Sequence, residues 1–264
     1  MSEVERRPAG TMSRERRFGI AISLGLILGG GWWAVSELGG EAAPANLSYP
    51  VAGEQLQIDA RNADVEVRSG DVREIQVQRT GGSDGLFSSG PEESYDNGEL
   101  ELRASCGPIS FGRCEAKYVV VVPRDLRVRI EASSGDLRAE NVTGPVDLKS
   151  TSGDVAVQSA SGDVVIETSS GDITAEDLRS GTVRAHASSG DIELSFATAP
   201  TTVTAETSSG DVGVSVPDGP ETYKVDTDTS SGDTETGIRT DRAASRTITA
   251  ETSSGDVTVE YQDR

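Results

Sequence analysis

Large aromatic and strongly apolar side chains are scarce in this chain. Aromatic residues make up 4% of the 264 positions, and the hydrophobic fraction is only 34%. Both tryptophans, Trp32 and Trp33, lie near the N-terminus, so the rest of the chain has few large side chains with which to fill an interior. This shortage excludes a broad hydrophobic core. It favours a narrow repeat structure whose walls, lined by small and β-branched residues, lie close together.

Basic residues are also few. The chain has 24 Lys and Arg against 44 Asp and Glu, a net charge of -20. Residues 46–264 account for 19 of the basic and 39 of the acidic residues. Such a domain repels phosphate backbones, so the composition excludes nucleic-acid binding. The excess negative charge then either keeps the protein soluble or attracts a cation or a basic partner.

Groups that usually carry catalysis are nearly missing. His186 is the only histidine, and the sequence shows no nucleophile elbow with a partner histidine. Paired carboxylates could serve glycoside chemistry, but here the carboxylates are repeated along the chain and no single place stands out. We therefore predict that the chain is not an enzyme, with a polysaccharide-active β-helix as the less favoured alternative.

One uncharged segment, residues 18–35, could cross a membrane. Its 18 residues reach roughly 27 Å as a helix, close to the thickness of a bilayer core of about 30 Å. Five arginines precede it and no further basic residue occurs before Arg61, which predicts a single-pass anchor with the N-terminus inside and the remainder extracytoplasmic. Cleavage as a signal peptide near Ala43-Pro44-Ala45 is the alternative.

Cysteine is limited to Cys106 and Cys114. In an exported chain, two cysteines so close in sequence predict a local disulfide, and two unpaired thiols are the alternative. A metal site is a weaker interpretation, because His186 is the only histidine that could join them.

The dominant pattern is a repeated Ser-Gly-Asp tripeptide. From Gly135 onward the glycines of its main column advance by 18, 18, 19, 20, 22 and 23 residues. Further glycines, including Gly144 and Gly162, lie about midway, so the unit is about nine residues. About five of these alternate apolar with polar, as in Val164 to Thr168, which is typical of a strand with one buried face.

These short units leave no room for a helix between strands. They predict an all-β fold, namely a right-handed parallel β-solenoid with two short strands per coil, and an antiparallel meander is the alternative. In the solenoid the turns stack, so the aspartates would form one column about 4.8 Å apart. The predicted column consists of Asp136, Asp154, Asp172, Asp191, Asp211, Asp233 and Asp256.

This column is the candidate site, a cation or partner edge. Calcium takes oxygen ligands and could bind there, but the chain lacks the Gly-Gly-x-Gly-x-Asp form of calcium-binding repeats, so no cofactor is assigned. Ser and Asp side chains can also simply accept hydrogen bonds within the turns. A second column is predicted four residues before each glycine, at Glu131, Lys149, Glu167, His186, Glu206, Asp228 and Glu251.

Residues 48–131 also show strand patterns. Leu56 to Ile58, Val65 to Val67, Ile75 to Val77 and Leu100 to Leu102 alternate apolar with polar. Residues 81–98 are rich in Gly, Ser and acidic residues and predict a loop. The apolar run from Tyr118 to Pro123 predicts a fully buried strand that ends at the proline.

The Val121-Val122-Pro123 run, the Ser-Ser-Gly-Asp-Val repeats and the predicted membrane-proximal N-terminus resemble the bacterial domain-of-unknown-function-4097 family, proteins of β-strand repeats described as adhesins. The resemblance covers residues 50–262. It implies a solenoid exposed at the cell envelope, and it carries over no site residues.

Together these observations predict a membrane-anchored envelope protein that presents an acidic repeat surface to an extracytoplasmic protein or envelope polymer. The alternative is a structural or signalling accessory of a membrane system. The predicted organisation is a cytoplasmic N-terminus (1–17), an anchor (18–35), a tether (36–47), a β region that caps the solenoid (48–131) and the repeats (132–264).

Overall fold

The structure, a computed structural model, describes residues 39–41, 44–81, 83–85, 90–105 and 116–262. The chain divides into residues 1–40, of which only Gly39 and Gly40 are described, and residues 41–264, which carry the features below. The described residues contain no helix. None of them therefore forms a helix that could cross a membrane.

The strands, in chain order, are β1 (Gly39–Glu41), β2 (Ala45–Pro50), β3 (Gln55–Arg61), β4 (Ala63–Gly70), β5 (Glu74–Gly81), β6 (Ser83–Gly85), β7 (Gly90–Asp96), β8 (Glu99–Ser105), β9 (Ala116–Pro123), β10 (Arg127–Ala132), β11 (Leu137–Glu140), β12 (Val146–Ser150), β13 (Val155–Gln158), β14 (Val164–Thr168), β15 (Ile173–Leu178), β16 (Thr182–Ala187), β17 (Ile192–Phe196), β18 (Thr202–Ser209), β19 (Val212–Val216), β20 (Tyr223–Ser231), β21 (Thr234–Thr236), β22 (Arg246–Ser254) and β23 (Val257–Tyr261).

Two large sheets contain all of these strands except β1 and β6. The ten-stranded sheet has the order β20-β22-β18-β16-β14-β12-β10-β3-β8-β7, and the eleven-stranded sheet has the order β2-β5-β9-β4-β11-β13-β15-β17-β19-β23-β21. From β8 to β23, successive strands alternate between the two sheets. We call a strand of the ten-stranded sheet and the next strand of the chain, in the other sheet, a strand pair.

Neighbouring strands of the repeat region run parallel and in register. Val146 of β12 lies beside Val164 of β14, and Val164 lies beside Val183 of β16. The predicted all-β fold with parallel strands is confirmed, and the antiparallel meander is wrong. Within the two large sheets, antiparallel pairing is confined to β2 with β5, β5 with β9, and β7 with β8.

The strand pairs at both ends are stacked out of sequence order. The pair β3–β4 lies between β8–β9 and β10–β11, and the pair β22–β23 lies between β18–β19 and β20–β21. The C-terminal strand pair is therefore enclosed on both sides by other strands. The simple sequential stacking that the repeat spacing predicts is wrong at this end.

The core lies between the two sheets and is built mainly from valine, isoleucine, leucine and alanine. Pairs such as Val164 and Ile166 of β14 are fully buried. The three largest side chains of this core are Tyr118, Tyr223 and Phe196. The two tyrosines belong to the outermost strand pairs, β8–β9 and β20–β21, so bulky side chains fill the interior near its ends.

Glycine is required at the stacked turns for two reasons. Gly171 has a φ of 130°, which side chains rarely adopt. A Cβ atom at this position would also lie 2.2 Å from the carbonyl oxygen of Gly153 in the turn below. Close stacking of the turns therefore excludes any side chain.

The predictions for residues 48–131 meet mixed outcomes. The four alternating segments lie in β3, β4, β5 and β8. The predicted loop is partly wrong, because β7 (Gly90–Asp96) occupies its second half and pairs with β8. In β9 only alternate residues such as Tyr118 and Val120 are buried, so this strand is not enclosed on both faces.

The predicted anchor at residues 18–35 and the cysteines Cys106 and Cys114 lie outside the described residues.

Candidate functional site: the aspartate column and the outer faces

The aspartates of the repeated turns form one column joined by hydrogen bonds. The backbone N–H of each aspartate donates to Oδ1 of the aspartate below it, as from Asp172 to Asp154 at 3.0 Å and from Asp191 to Asp172 at 2.9 Å. The order along the column is Asp64, Asp136, Asp154, Asp172, Asp191, Asp211, Asp256 and Asp233.

Two details differ from the sequence prediction. Asp256 lies between Asp211 and Asp233, because β22–β23 is inserted before the last strand pair. Asp64 begins the column although no glycine precedes it, and the backbone N–H of Asp136 donates to it at 3.0 Å. The Ser-Gly-Asp tripeptide also occurs at Ser69-Gly70-Asp71, but this copy lies at the other end of β4 and is not part of the column.

These hydrogen bonds account for the motif structurally. A carboxylate that accepts a backbone N–H partly offsets the repulsion between like charges stacked along an edge. All seven predicted aspartates are nevertheless exposed to solvent. Among the described residues, no group of three or more His, Cys, Asp or Glu side chains is arranged to hold a metal ion. The use of this edge by a cation or a partner stays a prediction.

The second column lies on the outer face of the ten-stranded sheet. Register pairs place Glu131 beside Lys149, Lys149 beside Glu167, Glu167 beside His186, and His186 beside Glu206. Glu251 and then Asp228 follow. All members are exposed or partly exposed.

Charges along this column are compensated at one end only. The Lys149 ammonium lies 3.0 Å from a Glu167 carboxylate oxygen, and this hydrogen bond raises the pKa of Lys149. His186 Nδ1 lies 3.8 Å from Glu206 Oε2. Within the described part of the chain, Glu251 and Asp228 have no ion pair, so negative charge accumulates toward β20.

The same trend holds for the whole C-terminal part. Residues 186–262 contain 14 Asp and Glu but only four Lys and Arg. Several arginines of the earlier strands are paired, as Arg129 is with Glu131 at 2.9 Å and Asp147 at 3.1 Å. The acidic character that the composition indicates is therefore strongest at one end of the strand order.

The opposite end carries a polar cluster that the sequence analysis missed. Arg79 Nε lies 2.9 Å from Glu93 Oε1, and the Tyr118 hydroxyl donates to the same carboxylate oxygen at 3.2 Å. The rings of Tyr49 and Tyr95 stack with centroids 4.8 Å apart, and the Tyr95 hydroxyl donates to the Pro50 carbonyl at 2.6 Å. A signal was present in the alternation of Glu93 and Tyr95 within the predicted loop.

A cleft of about 310 Å³ lies beside the start of the aspartate column and is lined by Asp64, Glu66, Lys117, Asp136 and Arg138, among others. Its charged groups are engaged with their neighbours, because Lys117 Nζ lies 3.5 Å from Glu66 and Arg138 Nε lies 2.7 Å from Glu140. The lining nevertheless keeps an excess of negative charge, because it also includes Asp154 and so holds four carboxylates against two basic groups.

The fold and these columns define a repeat protein of parallel strands with regular outer faces. A family model described as Toastrack DUF4097 matches residues 91–260, and the chain therefore belongs to that family.

Three solved structures similar to this chain come from bacteria. A "putative cell adhesion protein" from Clostridium sporogenes is 11% identical, with 83% of this chain and 100% of that chain covered and a TM-score of 0.40. A "putative adhesin" from Bacteroides fragilis is 15% identical, with 83% and 97% covered and a TM-score of 0.43. A "putative adhesin" from Parabacteroides merdae is 13% identical, with 85% and 98% covered and a TM-score of 0.27. No curated protein matches the chain.

Proposed function

We propose that this chain is a non-enzymatic, membrane-anchored protein of the cell envelope that presents an acidic repeat surface to a protein or envelope partner. Residues 18–35 anchor it, residues 36–47 form the tether, and the remainder lies outside the cytoplasm. The domain winds as a right-handed parallel β-solenoid with two short strands per coil, and its rigidity makes the outer face a fixed docking surface.

One observation supports this function above all. The ionisable residues on the outer face of the ten-stranded sheet line up in register from Glu131 to Asp228, instead of converging in a pocket. Convergent groups suit catalysis, whereas an extended column suits a large interface. The engagement of Asp Oδ1 atoms by backbone N–H groups supports a structural role for the turns and leaves this face as the recognition surface.

A charge-reversal experiment tests the face. Cells express the full chain with a photo-cross-linking residue at Thr204, which lies on the same outer face two residues before Glu206, and cross-linking is performed before lysis. We expect the E167K/E206K/E251K variant to lose its cross-linked partner, because all three changes invert the charge of this face. The matched control E176K/E193K/E260K inverts the same number of charges on the outer face of the eleven-stranded sheet and should keep it. Equal loss in both variants, or no partner with the unaltered chain, contradicts the proposal.

The anchor is tested separately by cell fractionation. The full chain should remain with the membranes after alkaline carbonate extraction, and protease added outside the cytoplasmic membrane should digest the C-terminal domain. Removal of residues 18–35 should leave the protein in the cytoplasm. Extraction of the full chain by carbonate, or protection of the domain from added protease, contradicts the topology.

A further inference from the structure

The ten-stranded sheet ends at β20 with an edge that is only partly used. On one side β20 pairs with β22 over most of its length. On the other side, within the described residues, its partner is a single parallel bridge between Tyr223 and Thr240. The chain thus begins to add a strand to β20 and stops after one residue.

This bridge identifies the backbone groups that face the open side. The Tyr223 N–H donates to the Arg239 carbonyl at 3.1 Å, and the Asp241 N–H donates to the Tyr223 carbonyl at 2.9 Å. Alternate residues of an extended strand direct their N–H and C=O groups to the same side. Val225 and Thr227 therefore direct theirs to the open side, where a further strand could pair with them.

Side chains of β20 also show that the last strand pair is incompletely covered. Val225 and Thr227 are partly exposed, whereas Ile248 and Ala250, their register partners on β22, are fully buried. At the other end of the molecule the stacked rings of Tyr49 and Tyr95 link β2 to β7. The two ends are thus built differently, and the β20 end offers an edge.

Charge determines which strand fits this edge. Asp226 and Asp228 project from the outer face of β20, are exposed, and have no ion pair among the described residues. A second copy is disfavoured, because antiparallel pairing of β20 with itself about Asp226 would place that carboxylate opposite its own equivalent. Lysine or arginine opposite Asp226 and Asp228 would be attracted.

We propose that the edge of β20 from Val225 to Thr229 binds an extended segment of a partner protein by strand addition, with basic side chains alternating with β-branched ones. Backbone hydrogen bonds supply the affinity, and Asp226 and Asp228 select the positive charge. This inference deepens the proposed function by naming the partner's chemistry and the place where it docks.

Binding of a defined peptide tests the inference. The probe is a fluorescent nine-residue peptide that alternates lysine with valine, and its binding to the full-length protein in detergent micelles is followed by anisotropy. We expect D226K/D228K to weaken binding roughly tenfold, because two attractive cross-strand pairs become repulsive. Substitution of Thr227 by proline removes an outward N–H and should weaken binding while the melting temperature changes little, since proline is tolerated on edge strands.

Matched controls separate the edge from the general acidity of the domain. E193K/E260K introduces the same charge change on β17 and β23, inside the eleven-stranded sheet, and should weaken binding less than threefold. A peptide with glutamate in place of lysine should not bind. Equal weakening by the two double variants, unchanged binding to the proline variant, or self-association of the protein through β20 overturns the inference. The cross-linking result at Thr204 does not depend on the peptide, so failure of one proposal is distinguishable from failure of the other.

Discussion

At the scale of single residues, the fold depends on stacked turns in which glycine and aspartate have separate tasks. Glycine lets one turn approach the carbonyl of the next, and aspartate accepts the backbone N–H of the next turn. Because both constraints recur at every turn, the Ser-Gly-Asp tripeptide recurs at a regular spacing, and the aspartate column was predictable from the sequence. Asp64 was missed because alanine and not glycine precedes it: Ala63 pairs with Ala116 of β9, and the Ser-Gly-Asp pattern is absent there.

The glycine requirement predicts opposite results for two substitutions to alanine. Gly171→Ala should destabilise the protein by roughly 2–4 kcal/mol, since the Cβ meets the Gly153 carbonyl and the backbone has a positive φ. Gly213→Ala is the control: its Cβ has only the Ile192 carbonyl at 3.9 Å, and alanine should be neutral or stabilising by up to about 1 kcal/mol. Urea denaturation measures both, and similar losses of stability would refute the distinction.

At the scale of elements, strand existence was easier to predict than strand partners. Alternation identified β3, β4, β5 and β8 because each buries one face. β7 was read as a loop because its segment is polar. It forms a hairpin with β8 through Asn97 and Gly98, which both have a positive φ, and this Asn-Gly signal was overlooked. Glu93 of β7 also contacts Arg79. Nothing local to β7 reveals that Glu93 contacts Arg79 of β5, which is why the polar cluster escaped prediction.

This cluster predicts a loss of stability at alkaline pH. Burial, and then the nearby Glu93 carboxylate, raise the pKa of Tyr118 above its ordinary value of 10.0. In the unfolded chain the phenol ionises near that value, so its contribution is complete below pH 10 and is lost as the pH rises toward the folded-state pKa. The free energy of unfolding should fall by up to about 1.4 kcal/mol per pH unit there.

Phenylalanine at position 118 provides the comparison. Tyr118→Phe cannot ionise, so its stability should decline less between pH 10 and 11 than that of the unaltered protein. Chemical denaturation at each pH, with ultraviolet absorbance to follow tyrosine ionisation, measures the difference. Identical pH profiles would show that Tyr118 does not contribute.

At the scale of the whole molecule, the sequence repeat made the parallel architecture predictable. The order in which the strand pairs stack at the two ends was not predictable. Sequence repeats report that strand pairs stack, and they do not report which neighbour each pair chooses. The neighbour is decided by the connections, such as residues 237–245 between β21 and β22, whose composition carries no repeat signal.

Because the central repeats are interchangeable, we expect the protein still to fold after one of them has been deleted. Deletion of residues 154–171 joins Gly153 to Asp172 and removes β13 and β14, so β15 can take the place of β13 beside β11. The shortened protein should keep a single cooperative thermal transition and β-sheet circular dichroism, since each repeat contacts mainly its neighbours.

Deletion of residues 246–262 serves as the comparison, because it removes a similar length but takes away β22 and β23. These strands separate β20–β21 from β18–β19, so the end should lose its order and the transition should broaden. If both deletions behave alike, the central and terminal strand pairs contribute equally to the stability of the stack, which contradicts the prediction.

The enclosed position of β22–β23 has a mechanical consequence. A pull on the C-terminus cannot peel an outermost strand from the stack, because the last strand is held by β19 on one side and β21 on the other. Force applied there must shear two hydrogen-bonded ladders at once. Tension at the tail of the chain is therefore distributed into the body of the protein, and fraying from that terminus is suppressed.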